Sequence, residues 1–283
     1  MKLLKAVNLF IVLIGINFQA SALINGHIVN AGEFPAKSTV MLIWVGHFYC
    51  SGTLVGEDLV LTAGHCLNGE TPEEINIPEN LIVYFGNSEN RVLIPELSRK
   101  ALAIQRHPEF NKVDSNYHDI ALVKFAGAIP NAFSPVEILD SSIRVNSEAS
   151  LLLAGYGISV SLTDPDAGKM KLLRTFPARV KNPISPINGM MELYQDTELV
   201  AKFGVVIPKT PGHPELDGVG GMAAGDSGGP AYYFTNNRVY VAGVASGYRD
   251  INELEIPFYE SVQTHRNWLI ETAKKMNSTL FHQ

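Results

Sequence analysis

The hexapeptide Gly225-Asp226-Ser227-Gly228-Gly229-Pro230 is the stretch on which both the fold and the chemistry of this chain turn. A serine hydroxyl is a weak nucleophile and needs a base, a site for developing negative charge and room for the reacting group. Glycines beside a serine let the backbone turn sharply and aim amide N–H groups at a single oxygen. A glycine-rich turn with an incidental serine would use the same letters, so the partners of Ser227 must be sought elsewhere.

They lie upstream. Leu61-Thr62-Ala63-Gly64-His65-Cys66 supplies a histidine beside a cysteine, and Asp119-Ile120-Ala121-Leu122-Val123 supplies an aspartate at the head of an apolar run. His, then Asp, then Ser is the chymotrypsin order; subtilisin and the α/β-hydrolases arrange the same three groups differently.

Around these residues the chain reads as short β-type segments: 40–45, 59–62, 81–85, 120–123, 151–153 and 239–244. Many short strands broken by Gly, Pro, Asn and Asp predict an all-β sandwich or barrel. Asn236-Asn237 between two such runs reads as a hairpin turn, because Asn tolerates positive φ. One helix is expected at residues 264–276, where Trp268, Leu269 and Ala273 recur at near-helical spacing above Lys274 and Lys275. Residues 159–221 are read as strands joined by long loops.

The 283 residues are 46% hydrophobic and 18% charged, which describes a core-forming globular protein and excludes a disordered one. A net charge of −6 offers no basic patch for nucleic acid. At the start, Lys2 and Lys5 flank an apolar run over 9–16 that ends at Ala20-Ser21-Ala22. The run is far below the ~20 residues that span a bilayer. Its order of basic start, short core and small-x-small predicts a signal peptide over 1–22 and a secreted or periplasmic product free of the membrane after its removal. Cys50 and Cys66 are the two cysteines. In an exported protein such a pair reads as a disulfide, with two free thiols as the alternative. Neither CxxC nor HExxH occurs, so zinc is not suggested, and no other metal or organic cofactor is expected.

The chain resembles the trypsin/chymotrypsin-type serine peptidases over roughly residues 23–276, and its leader and sparse cysteines resemble the bacterial type. LTAGHC at 61–66 is similar to the family's LTAAHC, with Gly64 in place of the second alanine, and 225–230 matches GDSGGP without change. Residues 48–54 (FYCSGTL) resemble the strand whose cysteine bridges to the one after the histidine, which implies a Cys50–Cys66 disulfide. Ala154-Gly155-Tyr156-Gly157 resembles SGWG, Ser246 fills the serine before the substrate-binding strand, and Trp268 sits in a helix like the family's last.

The resemblance implies two packed six-stranded antiparallel barrels, about 23–135 and 136–262, with the C-terminal helix and a site in the cleft between them. It makes Ser227 the nucleophile, His65 the general base and then acid, and Asp119 the group that orients His65. Gly225 and Ser227 would donate their N–H groups to the oxyanion. Substrates would be proteins or peptides, and a monomer is expected.

Departures from the family pattern gather at the specificity pocket. Six residues before the nucleophile, where trypsins carry an aspartate, stands Gly221, followed by Met222; Ala223 takes the place of a pocket cysteine. Ser246-Gly247-Tyr248 stands where SWG is usual, and the opposite wall carries Ile256-Pro257-Phe258-Tyr259. Without a fixed anion, a preference for Lys or Arg has no physical source, and small or medium uncharged side chains are expected.

The resemblance also implies an activating amine. In the family a freed α-amino group pairs with the aspartate before the nucleophile, here Asp226. Counting back from Phe34-Pro35 puts Leu23-Ile24-Asn25-Gly26 at the place of the family's IVGG start. That is the bond after Ala20-Ser21-Ala22, so removal of the leader would itself create the amine. Two other classes stay open at this point: a non-catalytic binding protein on the same scaffold, and an esterase-like hydrolase, whose Gly-x-Ser-x-Gly elbow fits a strand-rich chain poorly.

Overall fold

A computed structural model of the chain describes residues 23, 26–30, 32–44, 49–67, 77–87, 93–110, 118–157, 172–184, 190–195, 222, 224–251 and 254–282. Within them run fourteen strands and one α-helix. The first barrel consists of β2 (Thr39–Trp44), β3 (Tyr49–Leu54), β4 (Leu59–Thr62), β5 (Leu81–Tyr84), β6 (Ser98–Arg106) and β7 (Ala121–Phe125). It closes in the order β2-β3-β4-β7-β6-β5, with β5 returning antiparallel to β2. Its strands are short and apolar, as their sequences require: all four residues of β4 are buried, and β2 is buried at five of six positions.

The second barrel consists of β9 (Ser150–Gly155), β10 (Arg174–Asn182), β11 (Met191–Gln195), β12 (Pro230–Thr235), β13 (Arg238–Ile251) and β14 (Leu254–Ser261). Pairing runs β10-β11-β14-β13-β12-β9, and β9 pairs back with β10, which closes six antiparallel strands. Two short strands attach outside this ring. β1 (His27–Ile28) lies antiparallel on β10, and β8 (Glu137–Ile138) lies parallel to β13. The two six-stranded barrels expected from the sequence are therefore present.

Local chemistry explains the turns and ends. Asn236 and Asn237 carry φ of 52° and 57°, the left-handed pair that a two-residue hairpin needs and Asn accommodates. Helix α1 (Val262–Lys275) starts two residues before the expected position because the Ser261 side chain accepts from Thr264 N–H at its N-terminus. It buries Val262, His265, Leu269, Thr272 and Ala273, one stripe at helical spacing. Beyond its end, Lys124 on β7 donates to the carbonyls of Met276 and Asn277 at 2.7 and 2.9 Å, tying the helix terminus to the first barrel.

One core runs through the seam. Val40, Leu54, Leu61, Phe85 and Leu122 of the first barrel belong to the same apolar cluster as Leu152, Tyr156, Tyr232 and Val244 of the second. Two phenols cross it: Tyr232 bonds the Thr39 hydroxyl at 2.9 Å, and Tyr156 donates to the Thr39 carbonyl at 3.3 Å. Burial pushes both phenols well above their ordinary range, so both stay neutral. A rigid seam of this kind can hold groups from both barrels in register.

Candidate active site

His65 opens a tight helical turn, His65–Leu67, directly beyond β4. Its neighbour Cys66 is disulfide-bonded to Cys50 on β3, and the Cys66 carbonyl accepts from Trp44 Nε1 at 2.8 Å. Closing that loop stabilises the fold by about 3 kcal/mol in the chain-entropy account. The turn is therefore anchored to two strands before any functional contact is made.

Asp119 meets His65 twice. Its Oδ1 accepts the His65 backbone N–H and its Oδ2 accepts from the ring Nδ1, each at 2.7 Å. Ser246 Oγ is the carboxylate's third donor, on Oδ2 at 2.6 Å, and the carboxylate is fully buried. A carboxylate on Nδ1 holds the imidazole in the tautomer whose Nε2 is an acceptor. Gly64 lies beside this pair. A methyl group there would lie 3.1 Å from the Phe110 ring and 3.2 Å from Asp119 Oδ1, close enough that one of them must give by a few tenths of an ångström.

The backbone of Asp119 is held from behind. Its N–H donates to Glu260 Oε1 at 2.9 Å, and Glu260 Oε2 lies 2.9 Å from His265 Nε2. Both side chains of that pair are buried. Sequence reasoning missed it, because a Glu at a strand end and a His on a helix carry no motif.

Ser227 sits in the turn between residue 224 and β12, half-buried. Gly225 and Gly228 carry φ of 103° and 79°, conformations that favour glycine, so the motif's glycines are required by the backbone. The turn is braced by Gly228 N–H on the Ala245 carbonyl at 2.7 Å and by Ser51 N–H on the Ser227 carbonyl at 2.8 Å. Ser51 Oγ donates to the Gly225 carbonyl at 2.7 Å while accepting Tyr156 N–H at 2.8 Å. Ser51 stood in the sequence only as a flank of Cys50; its bridging role is new. Among the described residues the N–H groups of Gly225 and Ser227 have no partner, and no hydrogen bond joins Ser227 Oγ to His65. Such bonds commonly tighten only when a reactant is bound.

Asp226 turns the opposite way from solvent, 2% exposed. Its Oδ1 accepts Gly157 N–H at 2.8 Å and its Oδ2 accepts Leu23 N–H at 3.0 Å, with Leu23 itself buried. Tyr259 is buried nearby, and burial together with the Asp226 charge drives its phenol well above the ordinary range.

Met222 is buried in the second-barrel cluster that also contains Leu23. The Ser246 hydroxyl is directed to Asp119, Gly247 lies at an irregularity in the β13–β14 register, and Tyr248 pairs with buried Pro257 across that ladder. Gly221 and Ala223 lie outside the described residues, as does the Tyr248 side chain.

The Trypsin family model matches residues 23–176, a segment that contains His65 and Asp119 and begins at Leu23. Trypsin 5G1 of Aedes aegypti is 26% identical over 260 residues, covering 88% of this chain and 86% of that protein. Trypsin-1 of Astacus astacus is 25% identical over 251 residues, covering 86% and 96%. Ovochymase of Halocynthia roretzi is 24% identical over 263 residues; the match takes in 90% of this chain and 15% of that much longer protein.

Proposed function

The chain belongs to the trypsin family, and on that premise we propose that it is an exported serine endopeptidase acting as a monomer on protein and peptide substrates. Ser227 Oγ attacks the scissile carbonyl while His65 Nε2 takes its proton, then delivers it to the leaving amine. Water enters by the same route in reverse and releases the acyl group. Asp119 orients the ring and stabilises the imidazolium that forms in each half. The N–H groups of Gly225 and Ser227 receive the oxyanion, a role worth about 3–4 kcal/mol per donor in comparable sites. The observation that carries this reading is the double grip of one fully buried carboxylate on His65, at 2.7 Å to both N–H and Nδ1.

Export and activation are one step on this reading. Residues 1–22 are the leader, residues 23–283 the peptidase, and the cut after Ala22 turns the Leu23 nitrogen into an ammonium facing Asp226. Its support is the 3.0 Å contact between Leu23 N and Asp226 Oδ2. With Gly221 in place of a fixed anion, the enzyme prefers Ala, Val or Leu over Arg or Lys at the cleaved bond.

A fluorophosphonate probe tests the central step. Protein beginning at Leu23 takes up one equivalent of label, and Ser227→Ala takes up none. No labelling of the correctly started protein would favour a binding protein on the same scaffold. Amide substrates ending in Arg or Lys should be poor relative to Ala, Val or Leu; fastest cleavage after Arg contradicts the specificity.

A further inference from the structure

Three histidines that peptide hydrolysis does not use gather next to Asp119. His107 follows β6, His118 immediately precedes Asp119, and His265 lies on α1. One ring nitrogen from each is within 4.8 Å of the other two. His107 stacks on His118 with ring centres 4.7 Å apart, and His265 meets the two rings edge-on at 5.1 and 5.3 Å.

Each of the three rings has one nitrogen engaged by a neighbouring group. His118 Nε2 lies 3.2 Å from Glu109 Oε2, while its Nδ1 is buried without a partner. His265 Nε2 is held by Glu260 at 2.9 Å. A carboxylate on one ring nitrogen leaves the other as the lone-pair donor, the outer arrangement typical of metal-bound imidazole. His107 Nδ1 accepts the Glu109 backbone N–H at 3.3 Å, the longest of the three contacts. Glu109 and Glu260 supply two negative charges to offset a dication.

We propose that His107, His118 and His265 bind one divalent ion of the zinc class, with a fourth position open to water, and that occupation lowers peptidase activity. Three imidazoles suit zinc, copper or nickel, whereas calcium and magnesium take oxygen ligands. Zn–N bonds of about 2.0–2.1 Å put tetrahedral ligand nitrogens about 3.4 Å apart, so the rings must draw in by up to roughly 1.4 Å. That movement reaches Asp119 from both sides. His118 is its chain neighbour, held at φ 58°, and His265 is linked through Glu260 to the Asp119 N–H. Displacing a reacting array by about 1 Å costs on the order of 100-fold in rate. The inhibition rests on the peptidase reading; the metal site does not.

The test separates the two. Isothermal titration of Ser227→Ala protein beginning at Leu23 with zinc chloride should report one equivalent, and cobalt absorption in the visible range should show one tetrahedral site. His107→Gln and His118→Asn, introduced separately and checked for folding by circular dichroism, should each weaken binding at least about tenfold. On the active background His107→Gln should cleave peptides at the parent rate without metal and keep that rate at zinc concentrations that slow the parent about tenfold or more. No bound equivalent, or unchanged affinity in both variants, overturns the site. Lost affinity in His107→Gln with inhibition unchanged overturns the coupling to activity. Intact, histidine-dependent binding in a parent that hydrolyses nothing supports the site and counts against the peptidase reading alone.

Discussion

Asp119, bonded to His65, and Asp226, next to Ser227 in the chain, are both buried carboxylates, yet their partners differ in kind. Asp119 accepts from His65 N–H, His65 Nδ1 and Ser246 Oγ, all of which any folded chain supplies. Asp226 accepts from Gly157 N–H and Leu23 N–H. The Leu23 nitrogen is a neutral amide while Ala22 is attached and becomes an ammonium only when that bond is cut. An ammonium placed against a buried carboxylate offsets part of the cost of burying it. On the proposed reading, the histidine side of the site is set by folding, and the serine side gains its charge pair only when the leader is removed.

The contrast yields a graded set of substitutions. Asp119→Asn should have the largest effect, about 10⁴-fold in kcat with the fold retained, as expected when the imidazole is held in the wrong tautomer. Steady-state kinetics beside a thermal melt would check this. Asp226→Asn, in protein beginning at Leu23, removes the anion that the ammonium needs. Losing one partner of a buried charge pair costs about 3–5 kcal/mol, so activity should fall roughly 100-fold or more with His65 and Asp119 untouched. Near-parental activity in that variant would erase the distinction between the two aspartates.

Smaller effects test what braces each side. Ser51→Ala strands the Gly225 carbonyl and Tyr156 N–H, and calorimetry should register a loss of about 1–3 kcal/mol in stability. Gly64→Ala crowds Phe110 and Asp119, and kcat should drop by only about a few fold with KM unchanged, since the Phe110 ring can yield.

What the sequence made legible follows the range of the physics involved. The Ser227 turn could be read from six letters, because positive φ at Gly225 and Gly228 is a local demand of the backbone. The strands and the Asn236-Asn237 hairpin were legible for the same reason. The Cys50–Cys66 bridge and the place of Asp119 beside His65 were legible both from the residues and from resemblance, which carries long-range information that periodicity lacks. Ser51 bridging to Gly225 spans 174 positions, and Glu260 beneath Asp119 spans 141. No local pattern marks either. The histidine cluster escaped a search for metal motifs because its members come from a strand end, a loop and a helix, so chain spacing says nothing of their meeting.

The most direct measurement compares two forms of one chain. Protein beginning at Leu23 and protein retaining residues 1–22 are given the same Ala- or Leu-terminated peptide amide, with Ser227→Ala as the blank. The account predicts hydrolysis by the first form and a rate at least about 100-fold lower in the second, restored when the Ala22–Leu23 bond is cut. Equal rates in the two forms, or no hydrolysis above the blank from protein beginning at Leu23, would contradict it.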